Sequence, residues 1–318
     1  MLLAQSHLET GDTIAALQCW HQASQAPPAE WDLEKLRVLG IDAPEAWQAL
    51  TARISGLRAE LLQDAYSEIR SSTDARALFR IDRALAGYLG KASVFSSHPS
   101  QRPKVLYVPG LPATGFLDPS RHPLVAPLLS GFKQMQDEFD AVLAADAGVE
   151  PFLGELPGTD LPEYVSGGAQ ASWDALFFFR HGQRYDVNHG RCPHTSGLLE
   201  GLDLCRIDHQ APEVCFSIMR PGTRIEPHHG VTNARVVIHM PLRVPPGCYL
   251  ELTGVGRHYW REGEAMVFDD TFEHLAHNPT TSTRGILLMD AWHPDLNTAE
   301  RHAFRAVVEA ITRIESLA

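Results

Sequence analysis

Two periodicities divide this chain. From its start to about residue 92, apolar residues recur at three- and four-residue intervals in LLAQSHLETGD, TIAALQCWHQASQAPP, WQALTARISGLRAELLQDAYSEI and DARALFRIDRALAGYL, and predict helices. Gly11-Asp12 marks a turn between the first two, and Pro27-Pro28 an end to the second. From Glu213 the pattern changes to short strands every eight to twelve residues: VCFSIM, TRIEPH, RVVIHMPLRV, CYLELT, RHYWRE, AMVFDD, FEHLAHN and GILLMDAW. Eight such strands, separated by Pro-Gly, Pro-Pro-Gly and Arg-Glu-Gly turns, predict a double-sheet jelly roll. A last helix, ERHAFRAVVEAITRI, is expected to pack against the outside of that barrel.

Between these regions the signals are mixed. ASVFSSHPSQRPK loses periodicity and gains Ser and Pro, so the expected organisation is a helical region over 1–92, a linker over 93–104 and a jelly-roll domain over 105–318. VLYVPGLP reads as a short strand and turn, and HPLVAPLLSGFKQMQDEFDAVLAA as one helix reaching about Ala145. Residues 146–172 are rich in Gly and Pro and predict a long surface loop, of a length that is often functional. WDALFFF, beginning at Trp173, is a buried strand, RHGQRYDVN a polar turn, and CPHTSGLLEGL a short helix. The fold class is α+β: a double-stranded β-helix (jelly-roll, cupin-like) core behind N-terminal helices. Ala15, Ala16, Trp20 and the closing prolines resemble one tetratricopeptide repeat, and an ordinary helical hairpin is the other reading.

Charge and composition narrow the function classes. A net charge of -12, with no basic run, disfavours holding nucleic acid by phosphate neutralisation and, for the same reason, binding an anionic membrane. No apolar run has the length that crosses a bilayer, and the first residues do not read as a secretory signal, so a cytoplasmic protein is expected. Cys19, Cys192, Cys205, Cys215 and Cys248 are odd in number and not closely paired, which predicts reduced thiols rather than a disulfide framework or a zinc knuckle.

The candidate chemistry lies between Phe216 and Leu296. Arg235, Val237 and His239 share one face of a strand, and valine at the middle position marks that face as inward. Charge placed in an interior needs an opposite charge, which an anionic ligand would supply. His228 and His274, 46 residues apart on separate strands, are candidate ligands for Fe(II) with coordination positions left open. The usual third ligand, a carboxylate two residues after the first histidine, is replaced by Gly230, so water is expected there with Asp270 behind it. His229 competes with His228, since neighbours point to opposite faces. Arg284 on the last strand suits a bidentate pair with a carboxylate, with the Ser217 hydroxyl as a further donor, and the co-substrate is then a dicarboxylate. Singly, each of these residues has a structural reading, a satisfied core histidine or an arginine paired within the protein. Their convergence on one barrel favours an iron oxygenase site.

The motifs RHGQRYDVNHGRCPHT, SIMRPGTRIEPHHGVTNAR, FDDTFEH and DAWHPDL resemble the aspartyl/asparaginyl beta-hydroxylase family of 2-oxoglutarate- and Fe(II)-dependent oxygenases, over roughly Arg102 to Leu296. The resemblance implies that His228 rather than His229 binds metal with His274, and that a glycine at 230 is expected. It implies that Ser217 and Arg284 grip the distal carboxylate of 2-oxoglutarate, that His239 lies near the other carboxylate, and that Arg235 meets the co-substrate or a substrate carboxylate. Asp270 then lies behind the metal-bound water, while Trp173 and the segment from Arg180 to Arg184 border the substrate groove. The chain departs from the pattern at Val237, where animal members carry an arginine that helps bind an acidic side chain, and this puts the substrate in question. The activity implied is hydroxylation of an unactivated carbon, foremost the β-carbon of an aspartyl or asparaginyl residue or related amino-acid substrate, in a peptide or free. A protein partner for the N-terminal helices is a further expectation. The rival readings are a zinc-dependent cupin-type enzyme, in which Arg284 and Ser217 have no role, and an inactive protein-binding module.

Overall fold

A computed structural model describes residues 2–25, 43–145, 148–153 and 164–315, and the end foreseen at Pro27-Pro28 lies outside them. The chain forms two compact units, Met1–Phe79 with Ala299–Ala318, and Arg80–Thr298. The first is helical: α1 (Leu2–Glu9), α2 (Thr13–Gln25), α3 (Ala43–Asp64) and α4 (Ser67–Ser71), joined by α10 (Thr298–Glu315). Gly11 makes the α1–α2 turn at φ +81°, and Asp12 Oδ1 accepts from the Ala15 amide at 3.0 Å, capping α2. Helical hairpin and repeat share this feature. The last helix departs from expectation. It is grouped with the first helices, and its apolar stripe, Phe304, Val307, Ile311 and Ile314, is buried. Gln18 donates to the Arg313 carbonyl at 2.9 Å, and Arg58 pairs with Glu315 at 3.4 Å.

The second unit holds the jelly roll. Its larger sheet runs β1 (Phe116–Leu117), β11 (Met266–Phe268), β8 (Arg235–Arg243), β13 (Arg284–Trp292), β6 (Val214–Met219), β4 (Trp173–Arg180) and β2 (Glu150–Pro151), with β5 (Gln183–Arg184) on β4. The smaller runs β10 (Gly256–Tyr259), β9 (Tyr249–Leu252), β12 (His274–His277), β7 (Arg224–His228) and β3 (Val165–Ser166). All pairings within both sheets are antiparallel. Each of the eight strands read from the sequence is present as β6 to β13. In chain order they pass back and forth between the sheets, with β9 and β10 as a hairpin within the smaller one, which is the double-stranded β-helix.

Period-two alternation gives the larger sheet two different faces. Val236, Ile238, Met240 and Leu242 of β8 join Phe216 and Ile218 of β6, Leu176 and Phe178 of β4, and Leu287 and Met289 of β13 in one apolar cluster. The cluster is completed by Val125 and Leu128 of α6 (Val125–Ser130), Met135, Phe139 and Val142 of α7 (Phe132–Ala145), and Leu199 of α9 (Pro193–Glu200). Burial of each large side chain there contributes roughly 1.5–3 kcal/mol. The intervening residues, among them Val237, Met219 and Leu288, face the interior between the sheets.

Several connecting elements differ from the sequence reading. The helix expected over 122–145 is broken at Gly131, whose amide bonds to the Pro127 carbonyl at 3.0 Å, giving α6 and α7. VLYVPGLP forms no named strand and contributes one bridge, Leu106 to Thr232. The polar turn after β4 contains β5 and α8 (Asp186–Arg191), reversed at His181 and Gly182 with positive φ. The ends of the loop foreseen over 146–172 are tied down as β2 and β3. The segment read as a linker is also tied down: Arg102 N donates to Thr271 O at 2.8 Å, Lys104 N to Gly230 O at 3.1 Å, and Gln101 Nε2 to Asp269 Oδ2 at 2.7 Å. It braces the strand ends that carry the candidate site, and α5 (Phe79–Tyr88) from Arg80 onward lies in the same unit.

Gly285 is fixed by packing. A Cβ there would stand 1.9 Å from Phe139 Cζ, so α7 approaches β13 closer than any other residue permits. Gly285→Ala is expected to cost about 1–3 kcal/mol, read as a lower urea midpoint at unchanged m-value, and Phe139→Leu in the same chain is expected to recover part of the loss.

Candidate active site

β7 and β12 are neighbours in the smaller sheet, and His274 stands in register opposite His228. Side chains directly opposite on paired strands share a face, and the two imidazole centroids are 4.1 Å apart. Each ring is held in the same manner. Nδ1 of His228 lies 2.8 Å from Glu226 O, and Nδ1 of His274 lies 2.9 Å from Phe272 O. A carbonyl only accepts, so both Nδ1 atoms carry the proton and both Nε2 atoms keep a bare lone pair. Burial, helped by each other's proximity, pushes His274 down to about 3, and burial also lowers His228. Two neutral imidazoles with free Nε2 lone pairs are the donor set that Fe(II) or Zn(II) takes. His229 does not line the cavity that His228 and His274 share.

Gly230 follows. A Cβ at this position would lie 2.1 Å from Asp270 Oδ2, and the Gly230 amide donates to Asp270 O at 2.7 Å. The carboxylate thus occupies the space a side chain at 230 would need. Burial first, then Asp269, push the Asp270 carboxyl up to about 8 against the pull of Arg235. A desolvated carboxyl of this kind is stabilised as the anion by a neighbouring cation. Among the described residues no group of three or more His, Cys, Asp or Glu is placed to hold a metal ion.

The opposite wall belongs to the larger sheet. Arg284, at the start of β13, is 1% exposed, and burial pulls its guanidinium down to about 10, with partial support from the Cys248 and Cys215 thiols. Its Nη1 donates to the carbonyl and hydroxyl of Ser217 at 3.2 and 3.3 Å, its Cζ lies 4.4 Å from the Trp260 ring centroid, and its Nε has no partner. No carboxylate pairs with it among the described residues. Ser217 Oγ also accepts from Trp173 Nε1 at 3.0 Å, which leaves the hydroxyl hydrogen free to donate. His239, on the inward face of β8, packs against Phe268 and Trp260, is neutral through burial, and has an unpartnered Nδ1.

Seven of the residues inferred from sequence, Trp173, Ser217, His228, His239, Asp270, His274 and Arg284, line one cavity of about 180 Å³, with Trp173 stacked on Phe152 at 3.8 Å. Arg235 stands apart from these: its guanidinium pairs with Asp290 at 2.7 Å, and it is Asp290 that lines the cavity. Neither Arg180 nor Arg184 lines the cavity. Arg180 bonds Glu150 and the Phe152 carbonyl at 3.3 and 3.0 Å, behind the wall, and Arg184 pairs outside with Asp186 and Glu200 at 2.7 and 3.0 Å. Asp290, Glu213 and Phe152 line the cavity without having been singled out. Asp290 had a signal, since it shares the inward face of β13 with Arg284 six residues before it. Phe152 sits in an aperiodic stretch and had none.

A double-stranded β-helix with two open imidazoles on one wall and a buried arginine without a carboxylate partner on the other is the interior of a cupin-like α+β protein. The model of the aspartyl/asparaginyl beta-hydroxylase family matches residues 130–294, and the chain belongs to that family. Aspartate beta-hydroxylase domain-containing protein 1 of Mus musculus is 34% identical over 229 residues, 70% of this chain and 61% of that protein. Domain-containing protein 2 of Rattus norvegicus is 30% identical over 251 residues, 76% and 70% of the two chains. Aspartyl/asparaginyl beta-hydroxylase of Mus musculus is 32% identical over 159 residues, which span 21% of it. Among solved structures, a Pseudomonas putida prolyl-4-hydroxylase superposes at a TM-score of 0.34 with 14% identity, over 57% of this chain and 94% of the other. No helix among the described residues is long and apolar enough to cross a membrane.

The state of His274 has a consequence for stability. Its native value of about 3 lies below the ordinary 6.5, so between these pH values the unfolded chain takes up a proton that the native chain refuses. The metal-free protein is therefore expected to lose stability as pH falls from about 6.5 towards 3, and His274→Gln to flatten that limb in denaturant titrations across pH.

Proposed function

We propose that the protein is a 2-oxoglutarate- and Fe(II)-dependent hydroxylase of an amino-acid or peptide substrate, acting at an unactivated carbon such as the β-carbon of an aspartyl or asparaginyl residue. The observation that carries this reading is Arg284: a guanidinium buried to 1% exposure, with a free Nε and no carboxylate partner, beside a hydroxyl with its hydrogen to give. Such a group favours a carboxylate ligand at the floor of the cavity. Membership of a hydroxylase family agrees with it.

In this reading Nε2 of His228 and Nε2 of His274 hold Fe(II). The carbonyls of Glu226 and Phe272 fix the tautomers, so no proton has to leave the rings when metal binds near neutral pH. Asp270, beside Gly230, would accept a hydrogen bond from a water held by that metal. Arg284 and Ser217 grip the distal carboxylate of 2-oxoglutarate, and His239, neutral and without a partner at Nδ1, lies by the other end. Bound Fe(II), with oxygen and 2-oxoglutarate, supplies an oxidant that converts a C–H bond to C–OH as 2-oxoglutarate becomes succinate and carbon dioxide. The chain's part is to orient the carbon and exclude water, and the stacked Phe152 and Trp173 form an apolar wall for that purpose.

Anaerobic addition of Fe(II) and then 2-oxoglutarate to the metal-free protein is expected to give a visible charge-transfer band. Arg284→Met is expected to abolish the band and, because it removes a buried unpaired charge, to leave the ligand-free protein as stable or ~1–4 kcal/mol more stable. His274→Ala is expected to weaken Fe(II) binding by about 100-fold or more. A folded, iron-loaded parent that gives no band would overturn the assignment.

A further inference from the structure

Resting on the assignment of Arg284 to the co-substrate, we propose that the group this cavity recognises beside the carbon to be hydroxylated is an N–H donor, a carboxamide or an ammonium, and not a carboxylate. Among the described residues Arg284 is the one Lys or Arg on the cavity wall, and the co-substrate occupies it. Three arginines close behind the wall are each committed within the protein. Arg235 pairs with Asp290 at 2.7 Å, Arg180 with Glu150 at 3.3 Å and Glu213 at 4.0 Å, and Arg220 with Asp174 at 2.9 Å. The chain itself carries no Lys, Arg or His from Gln134 to Phe179, so the segment between α7 and β4 brings no further positive charge. Within that stretch it carries Glu155, Asp160 and Glu163.

What the wall does offer is acceptor. Asp290 and Glu213 both line the cavity. Asp290 is 8% exposed, and its Oδ2 is taken by Arg235 and by the Glu213 amide at 3.0 Å. Its Oδ1 accepts no hydrogen bond among the described residues. Glu213 Oε2 accepts from the His181 amide at 3.0 Å. Val237, in register opposite Asp290, presents only methyl groups to the same space. A substrate carboxylate brought here would leave water to face the Asp290 carboxylate and a Glu213 carboxyl that burial pushes up to about 7, with no cation on this part of the wall to answer its charge. A carboxamide or ammonium would bring the donor that Asp290 Oδ1 lacks, in a charge-assisted bond.

The test uses the full chain loaded anaerobically with Fe(II) and 2-oxoglutarate, and three capped amino acids whose side chains end differently: asparagine, aspartate and 2,4-diaminobutyrate. Each is titrated while the charge-transfer band is followed, and succinate is then measured on admitting oxygen. The carboxamide or the ammonium probe is expected to perturb the band at concentrations at least about tenfold below the carboxylate probe, and the stronger of the two identifies the donor. Asp290→Asn, which leaves Arg235 without its counter-charge, is expected to shift the preference towards carboxylate by about tenfold or more, whereas Asp290→Glu retains it. Denaturant midpoints establish that both variants are folded. Equal response to all three probes, preference for the carboxylate, or no response to any overturns the inference. Absence of the band before any probe is added would instead overturn the co-substrate assignment, so the two failures are read separately.

Discussion

An arginine in a protein interior normally arrives with its carboxylate, because a desolvated charge left unanswered is costly. Arg284 has arrived with a serine, a carbonyl and the face of Trp260 instead. The barrel is organised to tolerate this. Gly285 lets Phe139 close over the outer side of the strand, Ser217 is held in place by the Trp173 indole, and Trp260 lends its ring to the cation. These groups together orient a guanidinium towards a cavity whose far wall presents two imidazole lone pairs. The proposed chemistry depends on that unanswered charge, since it would define which end of an anionic ligand lies deep and which end faces the histidines.

The two halves of the constellation are fixed by different physics. On the smaller sheet the control is local: each histidine donates Nδ1–H to the carbonyl two residues before it, a bond that any strand end of that shape can make. On the larger sheet the control is long range, through packing of helices against the outer face and ion pairs behind the inner one. The braces at residues 101–106 connect the two, because they bond Thr271, Asp269, Gly230 and Val231, which immediately flank the metal-side residues.

The strands were legible in the sequence because alternation and Gly/Pro turns are strong where one face is buried, and all eight from β6 to β13 follow it. The inward set on these strands, Ser217, His239 and Arg284, followed from the same period. Less was visible where structure depends on partners distant in sequence. Arg235 looked like a cation in search of an anion, because no local pattern shows that Asp290, 55 residues later, stands beside it. Arg180 and Arg184 lie in a motif that borders the cavity, but in a tight hairpin whose side chains turn away from it. The 93–104 segment read as linker because its hydrogen bonds are to other parts of the chain and leave no periodic trace. The last helix has a clear apolar stripe, and a stripe identifies a buried face without identifying what buries it.

Gly230 shows why a missing ligand can be a positive structural feature. A carboxylate at this position would have to occupy the volume that Asp270 fills, with the first added carbon 2.1 Å from its Oδ2. The space beside Gly230 therefore holds one acidic group rather than two, and that group, Asp270, reaches from the opposite loop, held by the Gly230 amide to the Asp270 carbonyl. Two adjacent carboxylates in so dry a place would repel, and one would keep its proton. Under the proposed assignment a single carboxylate behind a water would leave the metal with a neutral protein shell, and the negative charge that balances it would come from the co-substrate. Metal and co-substrate binding would then be coupled through charge, with Arg284 and the metal each completing the other's ligand.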